Sequence, residues 1–495
     1  MKKALLLLSV FALFFSCKDM PPVGNGEPEP PQVLPLKFVA IGDDFTMGIQ
    51  SAGLSQEFQV NSYPKLVATQ AAAAGLSNVF QQPDISAPGI GMPPYLEPLT
   101  LDSQGRIAYE FLDLEMEQDE LLATLLPLLA NANLQRPYNN LGITGARLSD
   151  LSSTTSFSNS SPPGNFFFDI VLRNLVIPGY AIPNFGGRTV IQQVSLLDER
   201  APTDTTVIMV WIGINDVVGA VIASDEIVEP IVDVDGFAAQ YRALLDALQA
   251  GFSADREYHI ILANLPSYVP FFYALDGIFA GPDDKPVMFK IFDMLEAFLE
   301  AGELEPVDFN LGGEPFIPLE LEETDAIHLL LTGGFAYWLD GVGIPSADAL
   351  SGVYGLDAAT ISEITEGRSG IGTKIPASQT LTADEEAAIM AAIDACNAVI
   401  ASIANEYDYP LVDIHTIMSE GGAFAGATYP HSGDYYLLAP DYVSFFSLDG
   451  LHPSNLGYAV IANAFIDAIN TADIFDETIP SLALASFAGQ YETGN

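Results

Sequence analysis

Cysteines and basic side chains are scarce in this chain. Its 495 residues include two cysteines, Cys17 and Cys396, and 17 lysines and arginines against 64 aspartates and glutamates. Cys396 sits in a helical pattern of alanines and isoleucines, so we expect a buried thiol and a fold that is not held together by disulfides. The net charge of −47 makes nucleic acid and anionic membrane surfaces poor partners, because a polyanion repels them.

Long apolar runs are also missing, apart from a short one at the N-terminus. Residues 4–15 are apolar, follow two lysines and are too few to cross a bilayer, which is typical of a removable signal peptide. A small residue directly before Cys17 resembles a bacterial lipobox and predicts lipidation of that cysteine after removal of residues 1–16. An ordinary signal peptide with an incidental cysteine is the alternative. We expect an exported lipoprotein of the outer membrane, on its periplasmic or cell-surface face.

The remaining chain is predicted to contain a tether followed by one large domain. Residues 17–36 are rich in proline and glycine, which favours an extended tether after the lipid anchor. A composition of 49% hydrophobic residues supports a large core, and we assign residues 37–471 to a single domain. Residues 472–495 are left as a tail without a clear role.

Short apolar runs and helical patterns alternate through this domain. Strands buried on both faces are predicted near residues 38–41, 207–212, 258–263 and 410–413. Helices are predicted near residues 63–74, 236–250, 383–405 and 456–470. This alternation predicts an α/β fold in which helices cover a parallel sheet.

Two large insertions do not follow the alternation. The first covers about residues 81–136 and continues through 152–200, and the second covers about residues 266–379. Both are rich in proline, glycine and phenylalanine and begin where loops leave the predicted strand ends. Because ligands of open α/β sheets bind outside the carboxyl ends of the strands, each insertion is a candidate lid or substrate-binding cap. Additional packing without ligand contact is the alternative for each segment.

Four short segments carry the chemistry. The first is Gly-Asp-Asp-Phe-Thr-Met-Gly (42–48), which follows the first predicted strand and has the layout of a strand-to-helix turn that presents a nucleophile. An aspartate, Asp44, stands where a serine is expected. The others are Asn-Leu-Gly-Ile-Thr-Gly (140–145), Gly-Ile-Asn-Asp (213–216) and Asp-Gly-Leu-His-Pro (449–453).

In this order along the chain, the four segments resemble the SGNH (GDSL-type) hydrolase family across residues 37–471, and most closely its large secreted Bacteroidetes lipoproteins. The resemblance implies a three-layer αβα, flavodoxin-like fold with a parallel sheet. It also implies action on ester bonds of a lipid or an acylated carbohydrate, with no cofactor and no metal. The expected partners are a small-molecule ester or lipid ligand and, through the anchor on Cys17, the membrane.

The site residues of that family correspond to positions of this sequence. Asp44 takes the position of the nucleophile, and Gly145 and Asn215 take the positions that donate hydrogen bonds to the oxyanion. His452 takes the position of the base, and Asp449 that of the residue that orients it. Gly145 has a second interpretation as the glycine of a tight turn, and Asn215 as a cap of the helix that follows.

Asp44 changes the chemistry expected of such a site. A serine is activated when histidine takes its proton, whereas an ionised carboxylate has no proton to give and favours the imidazolium form of a facing His452. Its oxygens are also expected within reach of Gly145 and Asn215, where the carboxylate would mimic the anionic intermediate. Carboxylate attack on an ester would produce an anhydride, and action as a base on water is the other catalytic possibility.

Three hypotheses therefore remain open. The first is an ester hydrolase in which Asp44 has a variant role, which the family resemblance makes the default. The second is a catalytically inactive pseudo-hydrolase that binds a lipid or an acylated ligand in the crevice, which the local chemistry favours. The third is a surface protein that uses the fold as a scaffold, because a fold does not determine function.

Overall fold

The computed structural model describes most of the predicted domain. The described residues are 34–76, 78–92, 96–98, 100–101, 107–108, 125–161, 163–174, 183–222, 230–252, 255–266, 288–289, 380–381, 383–419, 445, 447 and 452–487. Cys17, nearly all of the predicted tether, and much of the predicted insertions lie outside these residues.

A parallel sheet forms the centre of the fold. Its strands are β1 (Leu34–Gly42), β2 (Asn140–Gly142), β3 (Thr203–Trp211), β4 (Glu257–Ala263) and β5 (Leu411–Val412). They lie in the order β5-β4-β3-β1-β2, and every neighbouring pair is parallel. This order is the 2-1-3-4-5 arrangement of flavodoxin-like folds, so the predicted α/β class is confirmed.

Two groups of helices flank the sheet. The helices are α1 (Asp44–Met47), α2 (Gln56–Gln59), α3 (Tyr63–Ala73), α4 (Asp150–Ser153), α5 (Phe167–Val171), α6 (Val190–Arg200), α7 (Ile214–Ile222), α8 (Val234–Ala250), α9 (Ala383–Tyr407), α10 (Ile414–Ser419) and α11 (Asn455–Thr471). Helices α3 and α11 pack together and contact β1, β4 and β5. In the second group, α8 contacts α6 and α9, and α9 also contacts α7 and β4.

Smaller elements lie outside the sheet. Short antiparallel pairs join Gly53–Leu54 to Ile90–Gly91, Thr100–Leu101 to Ile107–Ala108, and Met288–Phe289 to Thr380–Leu381. Single 3₁₀ turns occur at Leu126–Leu128, Phe157–Asn159 and Leu484–Ser486.

Helix α6 lies within the predicted first insertion but packs as part of the helical layers. Val190, Val194 and Leu197 are buried in the core, and the helix contacts α4 and α8. A capping box starts it: Thr189 accepts from the backbone N–H of Gln192, and the Gln192 side chain accepts from the backbone N–H of Thr189. This part of the insertion therefore provides packing. The Thr-x-x-Gln spacing was the sequence signal for the start of the helix.

Helix α9 contains a segment, Ala387–Tyr407, that is long and apolar enough to cross a membrane by length and composition, with a hydropathy of 1.8. Its buried positions recur every three or four residues and include Ile393, Cys396 and Ile400, each 0% exposed. This periodicity is that of one helical face packed into a protein core. Cys396 is buried as expected, and burial raises the pKa of its thiol to about 12.

The first part of the predicted tail is fastened along α11. Two asparagines on this helix each pair their side-chain amide with one backbone unit of the tail: Asn470 with Ile479, and Asn463 with Leu482. The side chains of Ile479 and Leu482 in this part of the tail are buried. The tail thus supports the helix that begins just after His452.

Replacing Asn470 with alanine is expected to lower the free energy of unfolding by about 1–3 kcal/mol, because two hydrogen bonds to the tail backbone are lost. Chemical denaturation measures this change. The matched control is Asp467→Ala, on an exposed position of the same helix, which should stay within about 0.5 kcal/mol of the native protein. Equal changes in the free energy of unfolding for the two substitutions would show that the hydrogen bonds between Asn470 and the tail do not stabilise the fold.

Candidate functional site

Three of the predicted site residues follow adjacent strands of the sheet. Asp44 comes directly after β1, Gly145 follows β2, and Asn215 follows β3. Because β1 lies between β2 and β3, all three residues meet at one carboxyl edge. The strand order reverses at this point, which is where open α/β sheets bind their ligands.

Local packing explains the turn that carries Asp44. Asp43 caps the short helix α1, since its carboxylate accepts from the backbone N–H of Phe45 at 3.3 Å. Gly48 ends that helix with a φ of +90°, which a glycine adopts without strain. A Cβ on Gly42 would lie 2.1 Å from the carbonyl oxygen of Trp211, so only glycine fits where β1 passes the end of β3.

The Asp44 side chain is held at both oxygens. Its Oδ1 accepts from the backbone N–H of Gly145 at 2.8 Å and from the Thr144 hydroxyl, and its Oδ2 accepts from Asn215 Nδ2 at 3.0 Å. The residue is only 7% exposed. The structure therefore brings together Asp44, Gly145 and Asn215, with the carboxylate directly on the two groups that the sequence assigns to an oxyanion.

The loops that carry these donors are themselves held in place. Gly145 has a φ of +71°, so it also serves the tight turn that was its second interpretation. The carbonyl of Thr144 accepts from Asn165 Nδ2 at 2.6 Å. Asn140 donates to the carbonyl of Thr46 at 2.8 Å, which links β2 directly to α1.

Asn215 does not act as a cap of the following helix. Helix α7 already begins at Ile214, and Asn215 lies in its first turn. Its amide nitrogen donates to Asp44 and also to the carbonyl of Ala146 at 3.2 Å. Both hydrogens of this amide are thus directed at the loop after β2 and at the carboxylate. The second interpretation of Asn215 is wrong.

His452 lies beside the same turn. It is 3% exposed, and its ring centroid is 5.6 Å from that of Phe45, the residue after Asp44. Its carbonyl accepts from the backbone N–H and the hydroxyl of Ser447, at 2.8 and 3.0 Å. Asp449, the predicted orienting residue, lies outside the described residues.

Two residues of the site were not predicted from the sequence. Thr144 supplies a third donor to Asp44, and the only signal was a hydroxyl next to the glycine of the second segment. Asp43 is fully buried, and its Oδ2 has no hydrogen-bond partner among the described residues. Burial, and then the adjacent charge of Asp44, raise the pKa of Asp43 well above its ordinary value. Folding therefore favours the protonated form of Asp43 over its ordinary balance with the carboxylate.

Acidic groups extend beyond the turn. Burial raises the pKa of Asp216 to about 6, and its carboxylate accepts from the backbone N–H of Leu148 at 2.8 Å. Burial also raises the pKa of Asp150. Among the described residues, no group of three histidine, cysteine, aspartate or glutamate side chains is arranged to hold a metal ion.

The substitution Asp43→Asn is expected to flatten the pH dependence of stability. Above about pH 4, unfolded chains release the Asp43 proton while folded chains retain it, so native stability falls as the pH rises. Each unit of pKa elevation contributes about 1.4 kcal/mol to this fall, and asparagine removes it while still capping α1. Denaturation of both proteins from about pH 4 to about pH 7 measures the difference. Parallel curves would contradict a raised pKa of Asp43 in the folded protein.

Neither protein-family models nor curated protein sequences match this chain. A search of solved structures matches the crystal structure of an extracellular lipase from Streptomyces rimosus. The two chains are 14% identical, the alignment covers 88% of this chain and 99% of the lipase, and the TM-score is 0.31. We therefore infer function from the site itself.

Proposed function

We propose that this chain is a lipoprotein with an SGNH-type site that binds a lipid or an acylated ligand without hydrolysing it. The observation that carries this proposal is the contact of the Asp44 carboxylate with Gly145, Asn215 and Thr144. Hydrolysis of an ester requires those donors for the developing oxyanion, and losing one donor typically costs about 10²–10³-fold in rate. Here all of them are engaged by a side chain.

The turn also has no serine at the position of the nucleophile. A carboxylate has no proton that His452 could remove, and its attack on an ester would give an unstable anhydride. Open α/β sheets bind ligands outside the carboxyl ends of their strands, so the ligand would bind at the ends of β1 and β3. An acyl compound is the ligand class that this type of site accommodates.

The proposal extends to location. Lipidation of Cys17 would anchor the chain to the outer membrane, and residues 17–36 would hold the domain away from it. The net charge of −47 would keep the domain from lying on an anionic lipid surface. The ligand would then reach the crevice from the space around the anchor.

Binding and turnover are separated by one probe, p-nitrophenyl dodecanoate. We expect equilibrium dialysis to recover intact ester bound to the native protein, displaced by excess dodecanol, with nitrophenol release at the rate of buffer. Displacement distinguishes a saturable site from adsorption. Failure to retain the ester would overturn the binding function, and release of nitrophenol that disappears in His452→Ala would establish hydrolysis instead.

Ester hydrolysis is the second candidate, and the position of His452 favours it. The imidazole is buried and packs against Phe45, so a potential base is retained beside the turn. In this case Asp44 or His452 would activate a water molecule instead of a serine. The engaged donors make such turnover slow.

A further inference from the structure

We propose that Thr144, Gly145 and Asn215 form a receptor for a single carboxylate, which Asp44 fills as an internal ligand. This occupancy restricts the crevice to ligands whose acyl end is uncharged. The restriction rests on the proposed binding function, whereas the receptor itself does not.

Each of the three groups directs a hydrogen-bond donor at Asp44. Asp44 Oδ1 receives the Gly145 N–H at 2.8 Å and the Thr144 hydroxyl, and Oδ2 receives the Asn215 amide at 3.0 Å. The second hydrogen of that amide is used by the carbonyl of Ala146, which directs the acceptor oxygen of Asn215 away from Asp44. Two acceptor oxygens that face donors from the loop after β2 and from helix α7 form the pattern that a planar carboxylate requires.

The receptor is built into the strand ends and does not depend on Asp44. Asn165 fixes the carbonyl of Thr144 at 2.6 Å, and Asn215 belongs to helix α7. Thr144 is 4% exposed, so its hydroxyl has little access to solvent, and it also contacts the weak acceptor Met92 Sδ at 3.8 Å. Removing the carboxylate would take a strong acceptor from the buried Thr144 hydroxyl and from the partly exposed Gly145 N–H and Asn215 amide, which favours binding of a replacement anion.

The part of the Asp44 side chain that is removed determines the size of the anion that can take its place. Asp44→Gly deletes a methylene and a carboxylate, which together have the size of acetate. Asp44→Ala keeps the Cβ, so the remaining space fits formate and is too small for the methyl group of acetate. Comparing acetate and formate on the two variants therefore tests where the anion binds as well as whether a negative charge is required.

Charge explains the restriction on natural ligands. A second carboxylate brought within about 4 Å of Asp44 is repelled strongly enough to weaken binding on the order of 10²-fold in a poorly hydrated site. A free fatty acid should thus bind more weakly than its neutral ester or alcohol.

The first experiment measures thermal stabilisation by acetate and formate, with chloride at equal ionic strength as the control. We expect acetate to raise the Tm of Asp44→Gly saturably, formate to act better than acetate on Asp44→Ala, and neither to act on the native protein. Adding Asn215→Leu to either variant should abolish the response. Equal responses of native protein and variants, or equal effects of chloride, would overturn the receptor. If one of the two Asp44 variants does not fold, the same measurement on the other variant tests the receptor.

The second experiment compares dodecanoate with methyl dodecanoate at concentrations below micelle formation. Native protein should bind the ester at least about 10-fold more tightly, and Asp44→Gly should reverse this preference. Equal affinities in the native protein, or an unchanged ratio in the variant, would overturn the restriction. If the native protein binds neither probe while acetate stabilises Asp44→Gly, the proposed binding function is wrong and the receptor stands.

Discussion

Asp44→Ser is expected to convert a chain without ester turnover into an esterase. Serine supplies an attacking oxygen whose proton His452 can take, and it releases the donors of Gly145 and Asn215 from the carboxylate. Each freed donor is worth about 10²–10³-fold in rate, so we expect a gain of at least about 10³-fold over the native protein. Release of nitrophenol from p-nitrophenyl butanoate measures it.

Two control variants distinguish the contributions of the nucleophile, the base and the negative charge. Asp44→Asn removes the negative charge without adding a nucleophile and should remain inactive. Asp44→Ser combined with His452→Ala should lose most of the gained activity, because the base is absent. A folded Asp44→Ser protein that shows no turnover would contradict the view that the remaining residues form a hydrolytic site.

The largest stability effect is expected at a buried ionic cluster between strand β1 and helix α6. Asp198 on α6 accepts from Lys37 Nζ on β1 at 3.0 Å and from Arg256 Nη1 at 2.7 Å. Lys37 is 3% exposed, and burial lowers its pKa while Asp198 opposes that shift. Replacing Asp198 with leucine would leave the lysine buried and unpaired, at a cost of about 3–5 kcal/mol in the free energy of unfolding.

A double-mutant cycle tests this cluster. Lys37→Met combined with Asp198→Leu removes both members of the buried pair, and we expect it to recover most of the stability lost in Asp198→Leu. Urea denaturation of the native protein, the two single variants and the double variant measures the coupling. Additive losses would contradict an energetic link between the two side chains.

The fold was predictable where the pattern is local. The predicted helix at residues 63–74 is observed as Tyr63–Ala73, and the predicted strand at 258–263 as Glu257–Ala263. The spacing of hydrophobic residues within a short stretch of sequence is enough to indicate such elements. Strand β2 was not predicted as an element, since its three residues are too short for a periodic signal. Its place in the sheet comes from pairing with β1, which is distant in the sequence.

The site was predictable as a set of residue types and not as a set of contacts. The sequence indicated that a carboxylate at position 44 would reach the donors of Gly145 and Asn215, and the structure contains both contacts. Thr144 was missed because one hydroxyl carries no signal until the loop after β2 is placed beside α1. The raised pKa of Asp43 was missed because it depends on complete burial, which neighbouring residues in the sequence do not reveal.

The most direct test is the ester turnover of the native chain measured against His452→Ala. With the Asp44 carboxylate on the donors and no serine at the turn, we predict that both proteins release nitrophenol from p-nitrophenyl butanoate at the rate of buffer. Turnover by the native chain that is lost in His452→Ala would contradict the central claim, because it would require the donors to serve an ester while Asp44 is present.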